Sequence, residues 1–381
     1  MNISLKQTFT HNLINIPGWR TNRKIVVIES DDWGSIRMPS KDIYEKLQIK
    51  GYKPDIDPYL KYDSLASEED LSALFEVLSS VKDKNGYPAL ITANCTIVNP
   101  DFEKIRDNNF QKYYFEPFTD TLKRYPNHNH SFELWKEGMH KRLFRPQFHG
   151  REHLNVDRWM KGLQRGDKIL HEAFNYEMLN ICSMPSEMRY GYMESLDFNN
   201  VVEEDNKMEI IREGLDLFEH IFGYRSKSFI ANCYIWSNRI EKVLFENGVK
   251  YIQGVPIQKI PKISEKQSYY LKYHYLGQEG QNSQIYLLRN VFFEPSHFPY
   301  NDNVGECLRR INIAFNWKKP AIISTHRLNF IGGINWMNRQ INLGLFKELL
   351  GAILKRWPDV EFMSSDELGL LISSKKISKS L

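Results

Sequence analysis

The sequence predicts an α/β fold in which parallel strands, each followed by a helix, close into a barrel. Three observations lead there. Short apolar runs alternate with one-faced helical stretches almost from end to end, the mark of strand-helix repeats about a parallel sheet. Seven or eight such units can be marked, a number that suits a barrel better than an open sheet. The unusual polar clusters fall at the C-terminal ends of the apolar runs, where such a barrel gathers its functional groups. A chain of 381 residues could hold one large barrel or two ordinary domains. With no linker composition and no internal repeat, the expectation is one elaborated domain over 1–381, its core at about 23–375.

The strands expected, in order, are 24–30, 88–93, 145–148, 228–231, 249–253, 290–294 and 321–325, with a weaker one at 360–363. Between them, 68–84 places Leu71, Leu74, Phe75 and Leu78 on one helical face. The stretch 155–175 does the same with Trp159, Leu163, Ile169 and Phe174, and Asn155 is a suitable N-cap. Three stretches break the rhythm and read as insertions: 96–144, 181–200 and 260–284. Within and beyond the last, 269–290 reads as two strands about a glycine-containing turn, an inserted hairpin.

Composition narrows the function. Hydrophobic residues at 41% and charged residues at 26% are those of a soluble globular protein, and a net charge of +4, dispersed, argues against a nucleic-acid partner. Aromatics at 13% suit a well-filled core or sugar-stacking platforms. The four cysteines, Cys95, Cys182, Cys233 and Cys307, form no CxxC pair, so buried free thiols in a reducing compartment are expected. The first twenty residues carry no apolar signal region and no window reaches the length of a membrane span, which predicts a cytoplasmic protein without a transmembrane segment.

Candidate chemistry sits at the strand ends. "ESDDWGS" brings Asp31 and Asp32 after the first strand, "QFHGREH" brings His149 and His153 after the third, "ANCYIW" carries Asn232 after the fourth, "FFEPSHF" carries Glu294 and His297 after the sixth, and "IISTHRL" ends on His326. Two His and one carboxylate with open positions form a set that binds a divalent metal for hydrolysis, lowering the pKa of water and polarising a carbonyl. A second Asp is then free to take the water's proton, and His326 to protonate the leaving group. Each motif alone has a plainer meaning: "SDDWGS" is a good turn, His-x3-His is a weak motif, and His326 could be a hydrogen-bonded core residue. "HGREH" also matches His-x-x-Glu-His, a zinc-protease signature with Glu152 as base. That reading needs a continuous helix, which Pro146 and Gly150 oppose. His128 and His130, in "RYPNHNHSFE", are expected in a solvated loop.

In the order of these clusters the chain resembles the polysaccharide deacetylases of the NodB-homology type, metal-dependent carbohydrate esterases with a distorted (β/α)7 barrel. The family's paired-Asp motif, His-x3-His, Arg-Pro-Pro-type motif and final His correspond to "ESDDWGS", "HGREH", "SFIANCYIW" and "IISTHRL". The resemblance implies Asp31 as catalytic base, Asp32, His149 and His153 as metal ligands, His326 as general acid, and a divalent metal, zinc first with cobalt, nickel or manganese as alternatives. It implies removal of acetyl groups from an acetylated carbohydrate, a precursor of a surface glycan. Trp33 stands where the family has Gly, and "FIAN" where it has Arg-Pro-Pro, so Arg151 or Arg289 would have to supply the charge beside the base. Trp33, Arg151, Asn232 and Glu294 are the expected substrate-contacting residues. The insertion 96–144 is expected to shape access. A glycan-binding protein without activity is the rival from another class.

Overall fold

The structure, a computed structural model, describes residues 5–181, 191–264 and 268–377. Seven parallel strands make the central ring. The first is Ile25–Trp33, the second Ile91–Cys95, the third Phe144–Phe148, the fourth Ser228–Ile230 and the fifth Tyr251–Gly254. The sixth comes in two pieces, Ile285–Leu288 and Val291–Phe292, and the seventh is Ala321–His326. The first piece of the sixth strand pairs with the fifth strand and the second piece with the seventh. The change of partner falls between two residues: the Arg289 N–H donates to Gly254 and the Asn290 N–H to Ile322. One segment thus joins both edges of the sheet, and the ladder returns on itself as a seven-stranded barrel.

Alternation along the strands sorts the layers. Val26 and Ile28 belong to the main apolar cluster with the surrounding helices, whereas Ile25 and Val27 pack with Ile285, Leu287 and Ile322 in a second, smaller cluster. Leu368 and Ile372 from the last helix, Ser365–Ile377, complete that second cluster and close the bottom of the barrel. The next inward residue after Val27 is Glu29, then Asp31. The interior therefore passes from apolar at the bottom to charged at the C-terminal rim.

The helices follow the predicted periodicity with local corrections. Glu68–Ser79 begins on a reciprocal capping box between Ser67 and Asp70 and buries Leu71, Leu74, Phe75 and Leu78 as expected. The stretch 155–175 is two helices, Val156–Gln164 capped by Asn155 and Lys168–Asn175 capped by Asp167. Gly166, at φ 75°, makes the break, and Ile169 is turned outward. The predicted hairpin also moves. Its strands are Ile257–Pro261 and Tyr269–Tyr273, while Ile285–Leu288, assigned to it from sequence, is a barrel strand. The insertion 96–144 holds the short strand pair Val98–Pro100 and Phe115–Pro117 and three helices. Part of each of the other two insertions, 182–190 and 265–267, lies outside the described residues, as does Cys182. Of the remaining cysteines, Cys95 and Cys307 are buried but Cys233 is exposed, contrary to expectation. His128 is buried, its ring nitrogens facing the carbonyls of Pro126 and Leu65, so it ties a loop down and is not solvated.

Candidate active site

The first strand ends irregularly. Asp31 stands opposite His326 in the ladder with the seventh strand, but the ladder with the second strand slips between Ser30 and Trp33. Asp32 sits at φ 73°, a left-handed conformation that costs a non-glycine residue about 1–3 kcal/mol. Consecutive strand residues face opposite sides; this turn is what lets Asp31 and Asp32 line one cavity. Trp33 is carried the other way. It is 1% exposed, its indole N–H donates to Ser30 Oγ at 2.9 Å, and its ring packs edge-on against Phe144 and Trp135. Trp33 is a core residue, and its expected role in contacting substrate is corrected.

Each aspartate has its own arginine. The Arg289 guanidinium grips Asp31 with two nitrogens, at 2.7 Å and 2.6 Å, and its Nε donates to Glu29 at 2.6 Å. Asn94 Nδ2 adds a bond to Asp31 Oδ1 at 2.7 Å. Burial alone would push the Asp31 carboxyl up, but Arg289 overrides it and holds the group far below the usual carboxylate range. The positive charge beside Asp31 therefore comes from Arg289, at the junction of the two pieces of the sixth strand. Arg151, the other candidate, points elsewhere: it pairs with Glu152 and Glu213 and lies over the Tyr113 and Phe115 rings. Neither role expected of Arg151 stands.

Asp32 is held by Arg37 Nη2 at 2.8 Å on Oδ2, and burial is again overridden, the carboxyl lying well below its ordinary range. The remaining oxygen, Oδ1, faces His149 Nε2 at 3.4 Å and His153 Nε2 at 3.3 Å. Donors about 2.0–2.1 Å from a tetrahedral zinc lie about 3.3–3.4 Å from one another, so these separations fit a shared cation. His149 Nδ1 is bonded to the Ile230 carbonyl at 2.9 Å, which fixes the tautomer with a lone pair on Nε2. Burial, with Arg37 nearby, pulls His153 down to about 4, so its ring is neutral and able to ligate at neutral pH. Among the described residues, these three are the group whose donor atoms converge as a metal set.

Opposite them, His326 Nε2 stands 3.9 Å from Asp31 Oδ2, and its Nδ1 is bonded to Glu294 Oε1 at 2.7 Å. Asn329 Nδ2 donates to the other Glu294 oxygen at 2.8 Å. Burial works against a charged imidazole, but Glu294 first and Asp31 after it lift His326 to about 9. Glu294, expected to contact substrate, is instead the residue that orients His326. Asn232 is fully buried, its Nδ2 3.0 Å from His149 Nε2 and its Oδ1 taking a bond from Ser195, so it does not line the cavity, and a cation on His149 Nε2 would have to displace that amide contact.

The cavity over these groups measures about 340 Å3. Its walls come from Tyr59 and Leu60, Leu179 and Met193, and the pair Cys233 and Tyr234. The insertion 96–144 contributes nothing to them, contrary to expectation. Arg289 is one of the two arginines expected from sequence to supply the charge beside Asp31, whereas Tyr59 and Arg37 were not expected. Arg37 follows Asp32 by five residues in "DDWGSIR", the one local signal available; Tyr59 has none. The protease signature fails on geometry: no helix runs through 149–153, Gly150 lies at φ 117°, and Glu152 turns to Arg151 and Tyr113.

No protein-family description and no curated protein matches this chain. Several solved structures do. A 4-alpha-glucanotransferase from Thermococcus litoralis matches 91% of the chain at 10% identity and a TM-score of 0.44, the chain spanning 40% of that protein's length. A protein from Parabacteroides distasonis assigned as a glycoside hydrolase or deacetylase matches 93% of the chain and 72% of its own length, at 10% identity and a TM-score of 0.48. A Mycobacterium smegmatis protein assigned as a polysaccharide deacetylase matches 94% of both chains, at 10% identity and a TM-score of 0.43. The chain is similar in outline to polysaccharide deacetylases, at a distance where identity of sequence has nearly vanished.

Proposed function

We propose that the chain is a metal-dependent hydrolase that removes acetyl groups from an acetylated sugar, a precursor of a surface glycan. The observation that carries this reading is the convergence of Asp32, His149 and His153 on one point beside an aspartate clamped by arginine and a histidine clamped by glutamate. A divalent cation held by the three ligands would polarise the acyl carbonyl and ease the ionisation of an attacking water.

The chain's own residues supply the proton traffic. Asp31 is kept ionised by Arg289, and Oδ2, the oxygen turned toward His326, accepts the proton of the attacking water. His326, charged below about pH 9, donates from Nε2 to the departing amine or hydroxyl, while Glu294 keeps the opposite nitrogen protonated and the ring in place. The polarity of the pair is thus built in, a carboxylate held as base and an imidazolium held as acid. Tyr59 and Tyr234 offer aromatic faces to a sugar ring in the cavity. The acetylated sugar itself rests on the order of the motifs, since a fold does not fix a substrate. With Arg289 beside Asp31, the missing motif no longer favours a purely glycan-binding protein.

The test is acetate release from a panel of N- and O-acetylated sugars. Release by the wild type should fall by about 10²–10⁴-fold in Asp31→Asn, with metal content kept. Sugar binding without release would favour the binding module, and an essential Glu152 with a dispensable Asp31 would favour the protease.

A further inference from the structure

One buried acid beside the site takes no part in the proton traffic. Asp63 closes the short helix Pro58–Tyr62, which carries Tyr59 to the cavity wall, and it is fully buried. Its carboxyl lies between two arginines. Arg327, fully buried as well, grips it with two nitrogens, Nε at 3.0 Å on Oδ1 and Nη2 at 2.9 Å on Oδ2. Arg37 stands on the other side, its Nε 3.6 Å from Oδ2. That separation is an ionic contact and not a hydrogen bond, and Arg37 Nε has no hydrogen-bond partner among the described residues. Between buried groups such a contact is little screened.

Each arginine leads to one half of the site. Arg37 Nη2 donates to Asp32 Oδ2 at 2.8 Å, and its guanidinium lies 5.1 Å from the centre of the Tyr59 ring. Arg327 follows His326 directly in the chain, and its Nη1 donates to the Ser35 carbonyl at 2.9 Å. Asp63 acts through its backbone as well: its carbonyl accepts the Met38 N–H at 3.1 Å, one residue past Arg37. The turn 35–38, which brings Arg37 back to Asp32, is therefore pinned at Ser35 by Arg327 and at Met38 by Asp63.

Stability does not account for the acid. Burial leaves the Asp63 carboxyl above its ordinary range, although Arg327 and then Arg37 work against it. A carboxyl whose pKa rises on folding lowers stability once it is ionised, and buried ion pairs are often no better for the fold than apolar residues. What the pairing supplies is orientation. With Asp32 Oδ2 occupied by Arg37, Oδ1 alone turns to His149 and His153. Resting on the metal-dependent function proposed for the chain, we propose that Asp63 is a positioning residue for the metal set. It holds Arg37 so that Asp32 presents a single oxygen, and through Arg327 it ties that strand end to the segment that carries His326.

The test is zinc affinity, read by chelator competition on the purified protein. Asp63→Asn keeps the shape of the acid and removes its charge, and zinc binding should weaken about tenfold or more. The loss should pass through Arg37: in an Arg37→Gln background, Asp63→Asn should change the affinity by less than about twofold. Leu71→Ala, in the outer helix Glu68–Ser79, should lower the melting temperature and leave zinc affinity as in the wild type, which separates positioning from loss of stability. If Asp63→Asn does not fold, Arg327→Lys carries the test, since it keeps a charge on Asp63 without the two-pronged grip and should also weaken zinc binding. Wild-type zinc affinity in Asp63→Asn or, failing that, in Arg327→Lys would overturn the proposal, as would an equal loss with and without Arg37. Zinc binding without acetate release would sink the hydrolytic reading and leave the role of Asp63 standing, whereas a wild type that binds no zinc would overturn both.

Discussion

Replacing Glu294 by Gln tests the acid half of the site without needing a substrate. In the wild type the Glu294 carboxylate holds His326 Nδ1 at 2.7 Å and, against the effect of burial, raises the imidazole from 6.5 to about 9. That difference corresponds to about 3 kcal/mol of interaction with the charged ring. Because the folded pKa lies above the unfolded one, this stability is fully present below about pH 6.5 and is lost as pH rises through about 9. Glu294→Gln keeps the hydrogen-bonding shape and removes the charge. Burial then outweighs much of the remaining attraction, so His326 should titrate at least one unit lower, and the variant should be destabilised most at pH 5–6 and least at pH 9 and above. Long-range nitrogen-proton NMR of the imidazole reads the pKa directly, and thermal melting across pH reads the linkage. A wild-type His326 that titrates at 6.5 or below, or one that Glu294→Gln leaves unmoved, would refute the assignment of His326 as a charged donor.

Other perturbations address the remaining charges. Arg289→Met leaves Glu29 and Asp31 buried without their counter-charge, and loss of one partner of a buried pair costs about 3–5 kcal/mol. The melting temperature should drop most near neutral pH and recover toward pH 4 as the carboxylates take up protons; a pH-independent drop would contradict the account. Arg37→Gln frees Asp32 Oδ2 and should weaken metal binding about 10–100-fold by competition with a chelator. Glu152→Gln should leave acetate release unchanged, since Glu152 lies outside the cavity.

Much of the site was legible because its residues follow apolar runs: Asp31, Asp32, His149, Glu294 and His326 all stand where a buried strand meets the rim. Less legible was what reaches across the barrel: Arg151 and Arg289 were equal candidates for the charge beside Asp31, and the fold alone selects Arg289. Arg289 sits between two half-strands in "YLLRN", and a break in pairing has no composition of its own, so Ile285–Leu288 was read as part of a hairpin. Trp33 was expected to contact substrate because it stands where the resembled family has Gly, but the left-handed turn at Asp32 shifts the phase of the strand and sends the indole into the core. A one-residue slip exchanges the faces of every residue after it. The helical face at 68–79 was easier, since its period and cap are both local.

The central claim is that Asp32, His149 and His153 hold a divalent metal. Metal content after purification and reloading, measured by mass spectrometry on the wild type, Asp32→Ala and His149→Ala, tests it most directly. About one ion per chain in the wild type and almost none in either variant is the expected result. Full metal content in Asp32→Ala, or none in a reloaded wild type, would contradict it.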